Sequence, residues 1–401
     1  MTLWAISPPF MYSGVARALV LLGVGAFLAV SYDRFSSDSK YVFITLGALI
    51  AYIYFVSFIT GESVSSRTIP LIIFLCNVLF FLYYKYNEKE LKELKSILWI
   101  ALILNTTFNI TTLIGYNTKA NVSRLLAKNF DGAEVYARQG IGGFGFVYTT
   151  LLILPFDFTI LKNKELRLIY KVIVIAHIIT SIYMILSSGY TLAVIGILII
   201  VAVSLIFSNK AGSADIFKRF VLIAIVCAVL FWQWGEIKNG LESISEGTMY
   251  EDKVHDLLYG VDDNDEGSFG VREERYQRSI NSFLEHPLFG SGNFVSVGKH
   301  SFLLDTYGQY GFFVGTAFVI IITMSARYYY KKKNVAKKLS ILELILPLIL
   351  LTLNSMVFAF GIVLFILYPI VVYNYCEEKK IEESKRNYSG LQRREIHREM
   401  S

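Results

Sequence analysis

Apolar residues in this chain come in blocks of about 20, the length needed to cross a hydrocarbon core of ~30 Å. The blocks fall near 14–32, 41–60, 69–84, 97–116, 142–160, 168–187, 190–207, 219–235, 303–325, 340–355 and 358–375. The stretch from Ser340 to Cys376 is too long for one helix, and a break around Asn354–Gly361 makes it a tight pair. The pattern predicts an all-α fold: a polytopic transmembrane bundle of about eleven spans with one large, partly helical external loop. Spans one to eight occupy 1–235, the loop 236–302, spans nine to eleven 303–376, and a tail 377–401.

Composition agrees. Hydrophobic residues make up 54% and charged residues 17%, where a soluble domain runs at about 45–50% and 25%. These proportions exclude a disordered chain and argue against an ordinary soluble enzyme. Cys76, Cys227 and Cys376 lie in or at the ends of apolar blocks, so no disulfide framework is expected. Most of the 38 lysines and arginines fall in connections after odd-numbered spans and in the tail. By the positive-inside rule these connections and the C-terminus are cytoplasmic. The first apolar stretch lacks a basic leader and a small-residue cleavage site, so no cleavable signal peptide is expected. Asp157 and Glu343 are placed near cytoplasmic helix ends, where hydration makes an acid cheap, and His177 sits mid-membrane in span six. Asn105 and Asn109 head N-x-S/T triplets at a frequency chance explains.

The 236–302 connection differs from the others. A structureless loop of that length is unusual, which makes this one a candidate for folded, functional structure. Its first half is acidic, and from Arg272 the balance turns basic. The segment "GVREERYQRSINSFLEHPLFGSGNF" reads as an amphipathic helix stopped by Pro287 and a turn containing Gly290 and Gly292. At 100° per residue Arg272, Tyr276, Ile280 and Phe283 share one face, while Arg275 and Arg278 fan away. An arginine on that face needs a partner or a ligand. "GKHSFLLDTYGQYGFFVG" then leads into span nine and sets His300 where the loop enters the membrane. Residues 262–273, "DDNDEGSFGVRE", approach the spacing of a calcium-binding EF-hand loop. Glu266 at its fifth position and Arg272 beside Glu273 favour a solvated acidic loop instead, and no metal site is expected.

Taken together, Arg272, Tyr276, His286, Pro287, Leu288, Gly290 and Gly292, then His300, Ser301, Leu303, Leu304, Gly308, Gly311 and Gly315, resemble the O-antigen polymerase and ligase superfamily of bacterial membrane glycosyltransferases. The motif covers roughly 45 residues, and the pattern of spans with one late external loop is similar over the rest. Two positions depart from the ligase pattern: Ser301 stands where ligases tend to carry asparagine, and "SSGYT" (Ser187 to Thr191) lacks their arginine. The segment beginning at His300 is most similar to Wzy-type polymerases.

The resemblance implies an enzyme of the bacterial cytoplasmic membrane that takes a growing glycan from undecaprenyl diphosphate. It passes that glycan to a sugar hydroxyl of a new lipid-linked repeat unit. The departing diphosphate gains negative charge, which guanidinium groups are suited to stabilise. On this reading Arg272 is the first choice for the diphosphate, with Arg275, Arg278 and Arg138 as further contacts. His300 is the base that accepts the hydroxyl proton. Lys299 lowers the pKa of that base, Asp305 orients or substitutes for it, and Tyr276 lines the substrate site. No cofactor, metal or nucleic acid is implied. The implied partners are the lipid-linked oligosaccharide, membrane lipids, a flippase and a chain-length regulator. Two alternatives stand beside the polymerase: an O-antigen ligase with lipid A core as acceptor, and a transporter or flippase of lipid-linked saccharide. A transporter would show inverted repeats and broken helices with mid-membrane charges, whereas here the charged motif concentrates on an external loop.

Overall fold

A computed structural model of the chain describes residues 2–11, 13–59, 69–118, 133–206, 242–243, 246–247, 268–293, 296–332, 336–355 and 359–376. Among these residues all regular structure is helical and no strand occurs. A lipid-embedded backbone without barrel closure requires this, since each segment must satisfy its own polar groups. The helices are α1 (Thr2–Ile6), α2 (Pro8–Met11), α3 (Gly14–Ser31), α4 (Ser37–Ile59), α5 (Ile69–Tyr84) and α6 (Lys95–Thr118). They continue with α7 (Ala133–Arg138), α8 (Phe144–Leu161), α9 (Leu168–Ser188), α10 (Thr191–Ile206), α11 (Ser268–Glu285), α12 (Phe302–Lys332) and α13 (Lys337–Leu353). The last, α14 (Phe360–Cys376), contains two π-helical turns on either side of Pro369, whose missing N–H interrupts the regular ladder.

Among the described residues six helices are long and apolar enough to cross a membrane: α3, α4, α6, α8, α9 and α12. Helices α5, α10 and α14 are apolar but shorter, and α13 occupies the tenth expected block. The eighth block, 219–235, and Cys227 within it lie outside the described residues. Eleven spans are therefore not established. Burial ranks the spans: 72% of the α8 window lies inside the protein against 22% for α3 and α4. Helix α8 is the hub, and α3 and α4 present most of their apolar surface outward to lipid.

The expectation that Asp157 and Glu343 are hydrated is overturned, because both are 0% exposed. Asp157 is bonded to His177, whereas neither carboxylate oxygen of Glu343 has a hydrogen-bond partner among the described residues.

Helix α11 packs on the beginning of α12, and small residues make this possible. Ser279 and Ser282 form its buried face, and Ser282 Oγ donates to the Gly308 carbonyl at 3.2 Å. Small side chains let backbones approach closely. The buried strip is thus centred on serines, a rotation away from the expected Arg272–Tyr276–Ile280–Phe283 face. That rotation carries Arg275 inward, while Arg278 stays exposed and pairs with Glu274 at 2.9 Å.

After α11 the chain doubles back along α12. Ser291 N–H donates to the Gly308 carbonyl and Gly292 N–H to the Gln309 carbonyl, both at 2.9 Å, and Phe312 N–H donates to the Pro287 carbonyl at 2.8 Å. Helix α12 is broken to receive this turn. Gly311 takes φ 80° and ψ −174°, and a Cβ there would collide with the Leu288 carbonyl. Helix α11 begins at Ser268, partway through the stretch with EF-hand-like spacing, whose residues 262–267 lie outside the described residues.

Candidate active site

The turn between the doubled-back segment and α12 carries Lys299 and His300. It closes on Ser301, the N-cap of α12, whose hydroxyl accepts the Leu304 N–H at 3.1 Å and whose carbonyl accepts the Asp305 N–H at 2.8 Å. Serine and asparagine cap equally well. The Phe302 N–H reaches the Asn354 carbonyl at 2.9 Å, tying this end of α12 to the end of α13.

A clasp between α11 and α12 fixes the turn. Ser279 Oγ donates to Asp305 Oδ1 at 2.6 Å and accepts the Gly298 N–H at 2.9 Å. Asp305 Oδ1 also accepts the Lys299 N–H at 3.2 Å. Gly298 lies so close to α11 that a Cβ would overlap the Arg275 carbonyl. Lys299 follows with φ 65°, a left-handed conformation costing an L-residue roughly 1–2 kcal/mol. Such cost persists where surrounding bonds over-determine the backbone, and here Asp305 and Ser279 supply them.

The result is that His300 Nε2 receives the Arg275 guanidinium in a very short contact. An N–H donor at Nε2 leaves that nitrogen as an acceptor and puts the ring proton on Nδ1, so the imidazole is neutral. Burial first, then the charges of Arg275 and Arg272, hold its pKa below the usual histidine value. Arg272 is exposed at the rim of the same cluster. Tyr276 is half-buried, and its hydroxyl donates to the Leu353 carbonyl at 2.8 Å. Burial raises this phenol, with Arg272 opposing and Asp305 adding to the shift.

The structure therefore brings together His300, Arg275, Arg272, Lys299, Tyr276 and Asp305. Arg275 is the guanidinium on the histidine, and Arg272, the residue expected at the diphosphate, stands exposed beside it. Asp305 holds the backbone of the turn, and Lys299 contributes its N–H to that hold. Arg278 is on the outer side of α11 with Glu274. Arg138, at the end of α7, is largely exposed and bonds Glu134 at 2.8 Å. Sequence reasoning missed Ser279, whose polar side chain at a half-buried period gave no sign that it bridges two segments.

Removing the bridge has a defined cost. Ser279→Ala takes a partner from both the Gly298 N–H and the Asp305 carboxylate, a loss of roughly 1–3 kcal/mol. Thermal unfolding of the purified variant in detergent should fall accordingly, and transfer should fall with it. Unchanged values of both would remove the clasp from the account.

A helical membrane protein with a neutral, arginine-bound histidine where a loop helix meets a span is the class that fold and site define. Residues 173–319 match the family model described as O-antigen ligase, Wzy_C, so this stretch is similar to the O-antigen ligase/polymerase superfamily. The family is enzymatic, of glycosyltransferase-like ligases and polymerases. The matched stretch runs from α9 into α12 and contains Arg272, Arg275, Arg278, Lys299, His300 and Asp305; Arg138 lies outside it. Neither curated proteins nor solved structures give a match.

Proposed function

We propose that this chain is a metal-independent polymerase of undecaprenyl-diphosphate-linked oligosaccharide repeat units, working on the outer face of the bacterial cytoplasmic membrane. The contact of Arg275 with His300, in the field of Arg272, carries the reading. It sets a neutral base beside two permanent cations, as transfer from a diphosphate requires. In this reading a hydroxyl of the incoming repeat attacks the anomeric carbon of the growing glycan. The bond from that carbon to the phosphate oxygen breaks, and its electron pair leaves with the lipid diphosphate. The hydroxyl proton passes to His300. Arg275 swings from Nε2 to the diphosphate as substrate enters, which frees the lone pair and places the charge where negative charge grows. Arg272 provides the second guanidinium and Lys299 a further cation at the rim. Arg278 and Arg138 are kept for the pyrophosphate or glycan once their glutamates are displaced.

The basic connections and tail support a cytoplasmic C-terminus and an outward-facing α11. Lipid-linked oligosaccharide, membrane lipids, a flippase and a chain-length regulator are the proposed partners.

The family description itself favours a second reading, the ligase that transfers finished glycan to lipid A core. Ser301 does not decide between them, since its work is to cap α12. Lipid analysis of a deletion strain does decide. Loss of a polymerase leaves lipid A core carrying single repeats. Loss of a ligase leaves the core bare, with polymer still on its lipid carrier. The expected outcome is single repeats.

A further inference from the structure

Helices α6, α8 and α9 enclose a polar cluster that this chemistry does not use. His177 Nδ1 lies 2.6 Å from Asp157 Oδ2, and His177 Nε2 lies 2.8 Å from Asn105 Oδ1. Thr150 Oγ1 donates to that same Asn105 oxygen at 3.2 Å. Asn109 Nδ2 donates to Ser181 Oγ at 3.0 Å and to Asn105 Oδ1 at 3.4 Å. All six side chains are 0% exposed.

Each ring nitrogen of His177 thus has an acceptor oxygen as its nearest partner, Asp157 Oδ2 at Nδ1 and Asn105 Oδ1 at Nε2, while the Ser181 hydroxyl stands farther from Nε2 at 3.4 Å. A neutral imidazole has one N–H and one bare lone pair, which would be set against an oxygen. Only the imidazolium donates to both. The Asp157 carboxylate opposite balances that charge, and buried charges endure when paired and hydrogen-bonded. Of the helices packed on α9, α8 contributes Asp157 and α6 the amides Asn105 and Asn109. Helix α10 contains no titratable residue.

We propose that Asp157, His177 and Asn105 form a proton-binding site inside the membrane-spanning bundle, with the proton held on His177 as an imidazolium. The same residues contain the arrangement that follows proton loss. Without its Nε2 proton, His177 keeps the Nδ1–H bond to Asp157. Asn105 then turns its amide so that Nδ2 donates to Nε2. Asn109 turns in step, so that its Oδ1 accepts from Asn105 and from the Ser181 hydroxyl. Among the described residues Asn105 Nδ2 and Asn109 Oδ1 have no partner in the first arrangement, and they are the two atoms the second one employs. One proton therefore selects between two hydrogen-bond patterns spanning three helices.

The test is ¹⁵N spectroscopy of full-length, histidine-labelled protein in lipid nanodiscs. A variant in which His255, His286, His300 and His397 are changed to Gln leaves His177 as the sole reporter, and none of the four belongs to α6, α8 or α9. The difference spectrum of wild type minus H177Q gives the same resonances without those changes. At neutral pH both ring nitrogens should resonate as protonated, and Asp157→Asn should convert one of them to a bare nitrogen. A bare nitrogen at neutral pH with Asp157 intact would overturn the site. So would a protonated pair indifferent to Asp157→Asn.

Discussion

Replacing His300 by alanine is expected to lower glycan transfer roughly 10²–10⁴-fold, the range supplied by a positioned proton acceptor. His300 is half-buried on a turn held by backbone bonds to Ser279 and Asp305, so its side chain can be removed without dismantling the clasp. The loss should therefore appear in turnover with unchanged thermal unfolding. Polymer in a complemented deletion strain should collapse to single repeats. The pH profile adds a sharper readout. The base form is the active one, and burial with the two guanidiniums depresses the folded pKa. Activity should persist as pH falls below the usual histidine value and be lost only at the lower, shifted one. Full polymer length and amount with His300→Ala would end its role as base.

The six long apolar helices are legible because their signal is redundant: each is a block of apolar residues, and a few misplaced polar groups do not hide it. Helix α11 was legible from its period and from Pro287. Which side of α11 packs was not. A hydrophobic-face rule weights Ile280 and Phe283, whereas the contact is made by Ser279 and Ser282 against a broken α12, where closeness of backbones decides. Arg275 was therefore assigned outward and is found on His300. The same bias hid the buried network. Asn105 and Asn109 looked like chance triplets, and Asp157 like a hydrated end residue. Each finds a partner on another helix, and sequence spacing does not encode that meeting. His177 was singled out by its depth, but its partners were not.

Arg275→Ala is expected to cut transfer by roughly 10²–10³-fold, the scale of removing one donor from a charge-stabilising site. Its second effect separates two roles. If Arg275 serves the departing diphosphate, the rate falls at every pH. If it only sets the state of His300, the rate is recovered by moving the pH. In both cases the acid limb should move upward, because the truncation removes a cation from Nε2 and admits water, and both changes relieve the depression of the histidine pKa. Arg275→Lys keeps the charge and loses the planar fork, so it should retain most of the pH position with only part of the rate. Arg272→Ala is the control within the cluster. Its charge acts on His300 less than that of Arg275, so its acid limb should move less, while its rate loss reports its own hold on phosphate. Equal displacement of the limb by both variants would mean that Arg275 has no privileged contact with His300 in the working enzyme.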